Sequence, residues 1–284
     1  MPHVLKKRNH IIAKVKSKYW TRTHKFSIRI LKNFTEVKKL DTLNGNTLWW
    51  DAIYKEMTNV RIAFETYDSS IKDLVETQGY QHTDCHMIFN VKMGENFRRK
   101  ARMVSGGHQT TTPTSLTYSS VVSRDSIRII LTIAVLNDLN ILACDIQNTY
   151  LTAPCRKKIC ITAGSEFGSD HGKTMIVVRA LYGLKSSGAS FPTFLVDHIY
   201  ELSYRSSYGD PDIWMRPGLT NKGFKYWEYL LCYVDNMLSV SHDPERTIKG
   251  IQRKFTLKGR KYEKPDNYLG TALFQMDNDQ GDPC

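Results

Sequence analysis

Strand-length apolar runs and amphipathic helical stretches both occur along these 284 residues, a mixture that predicts an α+β fold. Three stretches carry the prediction. In Tyr229–Ser241 two apolar runs flank the polar pair Asp235-Asn236, the mark of a tight hairpin turning at that pair. Met87–Met93 and Phe97–Val104 read as two further strands around Gly94–Asn96. Ser126–Asn137 reads as a helix with Ile127, Ile130, Leu131 and Ala134 as its core stripe and Asp125 or Ser123 as its cap.

Taken in order, the chain begins basic. Residues 1–48 hold twelve Lys and Arg against Glu36 and Asp41, so +10 of the formal +12 belongs to this segment. Met1 to Thr47 reads as a basic tether with short structured patches at most. It suits phosphates through counterion release, or serves as a solvated linker or localisation signal. It lacks the apolar core of a secretory signal, and no apolar run approaches the roughly 20 residues of a membrane span. Six Cys without a CxxC pair fit a reduced, intracellular setting. A hydrophobic content of 41% is enough to build a real core, in one large domain or two small ones.

From Leu48 the periodicity is helical, with Trp50, Ile53, Met57, Val60 and Phe64 at three- and four-residue steps. In Phe97–Val104, alternation puts Arg98, Lys100 and Arg102 on one face and Phe97, Arg99, Ala101 and Met103 on the other. Three cations on one strand face suit a phosphate-rich ligand as well as plain solvation. His82, Cys85 and His86 are followed by no second ligand pair at metal-binding distance. Gly168–Thr174 has three residues between its glycines where a phosphate-binding P-loop has four. A strand-like run, Met175–Ala180, follows where that loop requires a helix, which excludes a P-loop NTPase.

Leu181–Gly188 is a glycine-bracketed turn leading into a helix. Phe191, Phe194, Leu195, His198, Ile199 and Leu202 form its buried face, and Pro192 falls in its first turn. A loop with Asp210, Asp212 and Trp214 then leads to the Tyr229–Ser241 hairpin, and Glu245–Phe255 is a further helix with Ile248, Ile251 and Phe255 inward.

Chemistry enters with two acids. Asp235 stands at a hairpin tip, and Asp145 ends the apolar run Ile141–Cys144. Each alone reads equally well as an ordinary turn or strand-end residue. Side by side, two Asp-tipped strands form a platform for hard divalent cations. Two such ions, roughly 3.5–4 Å apart, clamp the attacking and leaving oxygens of a phosphoryl displacement. Tyr150, five residues past Asp145, is placed to wall a pocket beside them.

A series of motifs in fixed order carries a resemblance. It runs through Trp50-Asp-Ala-Ile-Tyr-Lys-Glu56, Lys100-Ala-Arg-Met-Val104, Tyr118-Ser-Ser-Val-Val122, the Asp145 segment, Leu181-Tyr-Gly-Leu-Lys185, Tyr233-Val-Asp-Asn236 and Tyr268-Leu-Gly270. Past residue 48 the chain resembles the reverse transcriptase domain of copia-type LTR retrotransposon polyproteins. The resemblance implies a right-hand polymerase fold of fingers and palm, with an antiparallel palm sheet backed by helices. Residues 48–140 are expected mainly in the fingers and 141–275 mainly in the palm, with a fingers excursion at about 152–180, and 276–284 form a tail.

The resemblance further implies DNA synthesis from deoxynucleoside triphosphates on a primed RNA or DNA template with two Mg²⁺ ions, inside the cell and without a membrane. Asp145 and Asp235 match the catalytic, metal-ligating acids. Ile146 matches the residue whose carbonyl faces the triphosphate, and Tyr150 the aromatic gate against a ribose 2′-hydroxyl. Lys100 and Arg102 match the cations on the triphosphate, and Gly183 to Lys185 a loop on template and nucleotide. Tyr268 to Gly270 match the approach to the primer grip.

Three departures are visible. Asn236 stands where the family has a second Asp, which keeps an acceptor oxygen but removes a charge. Phe191 stands where the family usually has Trp. Little chain follows Tyr268, so a thumb and a ribonuclease H domain, roughly another 100–150 residues, are expected to be absent or truncated. An impaired polymerase domain is therefore expected, with a catalytically dead nucleic-acid-binding remnant as the alternative.

Overall fold

The computed structural model describes residues 23–93, 97–111, 120–269 and 271–274. The first part of the basic segment, the turn at Gly94–Asn96, the loop around Pro113, Tyr118 with Ser119, Gly270 and the tail lie outside them. The elements begin with β1 (His24–Lys25), β2 (Ile28–Arg29), α1 (Thr35–Asn44), α2 (Leu48–Val60), β3 (Phe64–Tyr67), α3 (Ile71–Glu76) and β4 (Gln81–His82). Next come β5 (Cys85–Val91), β6 (Arg99–Ser105), α4 (Arg124–Leu136), β7 (Asn140–Asp145), α5 (Thr149–Thr152), β8 (Ile159–Thr162) and β9 (Thr174–Val177). The chain continues with α6 (Ser187–Glu201), β10 (Arg205–Ser206), β11 (Ile213–Leu219), β12 (Lys225–Tyr233), β13 (Asn236–Ser241), α7 (Pro244–Gln252), β14 (Asn267–Tyr268) and β15 (Thr271–Ala272). The fold is α+β, as expected.

Described residues of Met1–Thr112 and Lys157–Lys185 form one compact unit, and those of Pro113–Arg156 and Ser186–Cys284 form another. Helix α4 lies in the second of these.

In the first unit, β5 and β6 form an antiparallel ladder from Cys85 opposite Ser105 to Val91 opposite Arg99. Ala101 and Met103 are buried, and Lys100 and Arg102 on the alternate face are half-exposed, as the alternation predicts. A mixed sheet runs β3-β9-β8-β4, with β4 parallel to β8. The tether reading fails within the described part of 1–47, because Thr35–Asn44 is a ten-residue helix. It buries Val37 and Leu40, and Gly45 at φ 61° closes it. The Asp41 carboxylate accepts from the backbone N–H groups of Trp49 and Trp50 at 3.3 and 2.9 Å, satisfying orphan donors at the start of α2. The cap also sets the face of α2: Trp49 is buried edge-on to Phe89, and Trp50 is exposed.

In the second unit the sheet order is β10-β11-β12-β13-β7, antiparallel throughout. Ile213, Tyr229, Leu231, Leu238 and Val240 pack on one face against Ile127, Ile130 and Ala134 of α4. Ser123 caps α4, its hydroxyl accepting from the Ser126 N–H at 3.0 Å. Helix α7 packs on β13 and β7. Trp214, read as a loop residue, is buried within β11. Pro192 is the sixth residue of α6, beyond the first turn.

The hairpin turn differs by one residue from the reading. Tyr233 pairs with Asn236, so Val234 and Asp235 are the turn and Asn236 opens β13. Val234 takes φ 56°. A polar pair suggests a turn from sequence, but here the strand register places a β-branched residue at its first central position.

Candidate active site

The β13–β7 ladder sets Asn236 directly opposite Asp145. Asp235 is joined to the same strand end, its carbonyl accepting from the Ile146 N–H at 2.8 Å. Two acids far apart in sequence are therefore carried at one end of neighbouring strands, with Asn236 following Asp235 and facing Asp145 across the ladder. The turn that presents Asp235 is strained: a β-branched residue at positive φ is a conformational outlier costing about 1–3 kcal/mol, and such strain collects at functional sites.

Each side chain has a defined partner. The Asn236 amide donates to an Asp235 carboxylate oxygen at 3.3 Å. The Lys258 ammonium lies against Asp145 Oδ2, making both a hydrogen bond and an ion pair. Two carboxylates and an amide oxygen are hard donors, and a hard divalent cation is what such a set holds. No cluster of three or more His, Cys, Asp or Glu suited to a metal occurs among the described residues. By donor chemistry, Asp145, Asp235 and the Asn236 amide oxygen are the groups that would hold a divalent cation here.

Beside Asp145 a cavity of about 470 Å³ is lined by Asn236, Lys258, Lys261, Glu263 and Tyr268 among others. Tyr268 is buried, and burial raises its hydroxyl pKa. Ile146 is buried, and its carbonyl accepts from the Thr149 hydroxyl at 3.0 Å. Tyr150 is half-buried in α5.

The other predicted residues lie in the first unit. The Arg102 guanidinium stacks on the Tyr182 ring at 3.9 Å. Burial and the positive charge of Arg102 pull the Lys100 pKa down. Glu56, with its pKa pushed up by burial, accepts from the Met103 N–H at 2.9 Å and faces both cations. Lys185 Nζ donates to the Thr110 carbonyl at 2.6 Å. Gly183 adopts φ 91°, and a Cβ there would lie 2.2 Å from the Ser105 carbonyl oxygen; one on Gly107 would lie 2.0 Å from the Gly183 oxygen. Only glycines permit these two backbones to cross so closely.

Sequence reasoning missed Lys258, Glu56 and Tyr182 as parts of these constellations. Glu56 and Tyr182 do stand inside the quoted motifs, which was the available signal. Lys258 had no local signal, because its partner is 113 residues away.

The description "Reverse transcriptase (RNA-dependent DNA polymerase)" matches residues 72–280. The chain is similar to the Retrovirus-related Pol polyprotein from transposon RE1 of Arabidopsis thaliana, 27% identical over 196 residues, covering 66% of this chain and 13% of that protein. It is similar also to the Pol polyprotein from transposon TNT 1-94 of Nicotiana tabacum, 28% identical over 189 residues, with 64% and 13% covered. The chain thus spans about 13% of the length of these curated relatives. Among solved structures, it is similar to a foamy viral protease-reverse transcriptase in complex with double-stranded DNA, at 13% identity and a TM-score of 0.42, covering 82% of this chain and 35% of that one. No helix among the described residues is long and apolar enough to cross a membrane. With the ordered motifs and a family match running from residue 72 to residue 280, the chain belongs to the reverse transcriptase (RNA-dependent DNA polymerase) family, in its copia-type retrotransposon branch.

Proposed function

We propose that this chain extends a primer along an RNA or DNA template with deoxynucleoside triphosphates, using Asp145 and Asp235 to hold two Mg²⁺ ions. The observation that carries the reading is the placement of Asp145 opposite Asn236, with the Ile146 N–H bonded to the Asp235 carbonyl. When bound, the ions supply activation of the primer 3′-hydroxyl and neutralisation of the leaving pyrophosphate. Asp145 at the end of β7 and Asp235 in the adjoining turn present the oxygen donors, their backbones tied by the Ile146 N–H to Asp235 carbonyl bond. Ile146 offers its carbonyl toward the triphosphate, and Tyr150 excludes a ribose 2′-hydroxyl. In the first unit, Lys100 and Arg102 bind phosphate oxygens, and Gly183 to Lys185 contact template and nucleotide. The working place is inside the cell, in a cytoplasmic particle or the nucleus.

Asn236 impairs this activity. The side chain adds no charge to the site and draws on a lone pair of Asp235. A second reading is a catalytically dead remnant that binds nucleic acid through its cations. The ammonium on Asp145 and the amide on Asp235 favour it, because both reduce the negative potential that a metal needs. Nucleotide incorporation on a primed RNA template separates the two. The polymerase reading expects Mg²⁺-dependent incorporation that Asp145→Ala abolishes. Salt-dependent binding with no incorporation supports the remnant.

A further inference from the structure

We infer that Lys258 is a built-in countercation that competes with divalent metal for the Asp145 carboxylate and so sets the metal affinity of the site. The inference rests on the proposed role of Asp145 as a metal ligand.

Backbone pairing fixes where Lys258 stands. On one side of Asp145, Ala143 and Glu263 exchange N–H···O bonds of 2.9 and 3.1 Å. On the other, Ile146 bridges Leu257, and the Gln147 N–H donates to the Thr256 carbonyl at 2.8 Å. Between these anchors the chain leaves the edge of β7, turning through Gly259 at φ 68° and Arg260 at φ 55°. Lys258, at the start of that turn, is delivered to Asp145 Oδ2.

The ion pair is not needed to hold the segment, since the bridges do that. The Lys258 side chain is 62% exposed and that of Asp145 26%, and a pair so open to water adds little to stability. Its effect on the charge of the site is larger. Asp145 and Asp235 bring two negative charges, Asn236 none, and Lys258 cancels one. Lys261 and Glu263 on the cavity wall pair with each other at 2.6 Å, whereas Lys258 is set against Asp145, a proposed metal ligand. An arriving cation must displace the ammonium, whose flexible stem can swing into solvent.

The test is a Mn²⁺ titration of the intact chain, read as loss of the free-ion electron paramagnetic resonance signal. Lys258→Met and Lys258→Gln are expected to bind Mn²⁺ about tenfold more tightly, the order that one unit charge a few ångströms away gives in a water-like medium. Lys258→Arg keeps the charge and is expected to match the unaltered chain. If Asp145→Asn loses binding while both neutral variants bind no more tightly than the unaltered chain, the countercation inference is overturned and the metal site stands. If Asp145→Asn binds as the unaltered chain does, the metal site itself is overturned, and the inference with it.

Discussion

The side-chain amide of Asn236 donates to the carboxylate of Asp235 at 3.3 Å, at the strand end where Asn236 also faces Asp145. A position that could add a third negative charge adds a hydrogen-bond donor instead. The proposed centre therefore carries one negative charge fewer than an Asp at position 236 would give it. Outcomes that depend on backbone geometry should be preserved, and those that depend on charge should be depressed.

The paired cations of the first unit give a prediction about substrate affinity. Lys100→Ala and Arg102→Ala should each raise the KM for deoxynucleoside triphosphate about tenfold, the value of one charge-assisted contact. Tyr182→Ala should raise it too, because Arg102 rests on that ring. Steady-state incorporation at varied triphosphate checks this, and an unchanged KM in both cation variants excludes the assigned role.

Gly183→Ala should destabilise the first unit by at least about 2 kcal/mol. Positive φ alone costs a non-glycine residue roughly 1–2 kcal/mol, and here a Cβ would also meet the Ser105 carbonyl oxygen at 2.2 Å. Thermal unfolding of the variant reads the loss, and an unchanged melting temperature contradicts it.

How far these features could be read from the sequence depended on how local their causes were. Helix α4 and the β5–β6 ladder follow from periodicity, because one face of each meets a core. Asp145 and Asp235 were identifiable as strand-end acids, but their adjacency is a property of the β13–β7 register. The turn was misplaced by one residue because nothing local predicts a valine at positive φ. Helix α1 was hidden by its charge: its buried stripe is Val37 and Leu40, and its tie to α2 is a carboxylate, Asp41, that composition alone counts as surface. Lys258 reaches Asp145 only through the bridges that seat residues 256–263 on the edge of β7.

Glu228 is the buried ionic anchor of the second unit. It accepts from Arg216 Nε at 2.8 Å and from Arg246 Nη2 at 2.7 Å, with the Tyr226 hydroxyl at 3.3 Å. Glu228→Ala leaves the half-buried Arg216 guanidinium without its carboxylate and should cost roughly 3 kcal/mol. Exchanging both Glu228 and Arg216 for Met should cost less than the single change, since no buried charge is then stranded. Urea unfolding of the three proteins decides it.

Burial pushes the Cys144 thiol up to about 12 from an ordinary 9.0, with the charge of Asp145 adding to the shift. Burial raises Cys232 on β12, two strands away across β13, as well. These groups keep their protons in the folded chain, whereas the unfolded chain releases them near the ordinary value. The Cys144 contribution is therefore intact below pH 9 and is lost as the pH rises toward 12, by about 1.4 kcal/mol per pH unit. The urea midpoint should fall above pH 9, and Cys144 should resist alkylation by iodoacetamide at pH 8 until the chain unfolds.

Primer extension on an RNA template, comparing this chain with Asn236→Asp, tests the charge account most directly. A restored carboxylate removes the amide from Asp235 and returns one negative charge to the metal platform, an effect worth several kcal/mol of barrier. The Asp form should extend at least about tenfold faster, and the rate should depend on Mg²⁺ in both. Equal rates for the two proteins would contradict the account, because the charge at this strand end would then have no part in the chemistry.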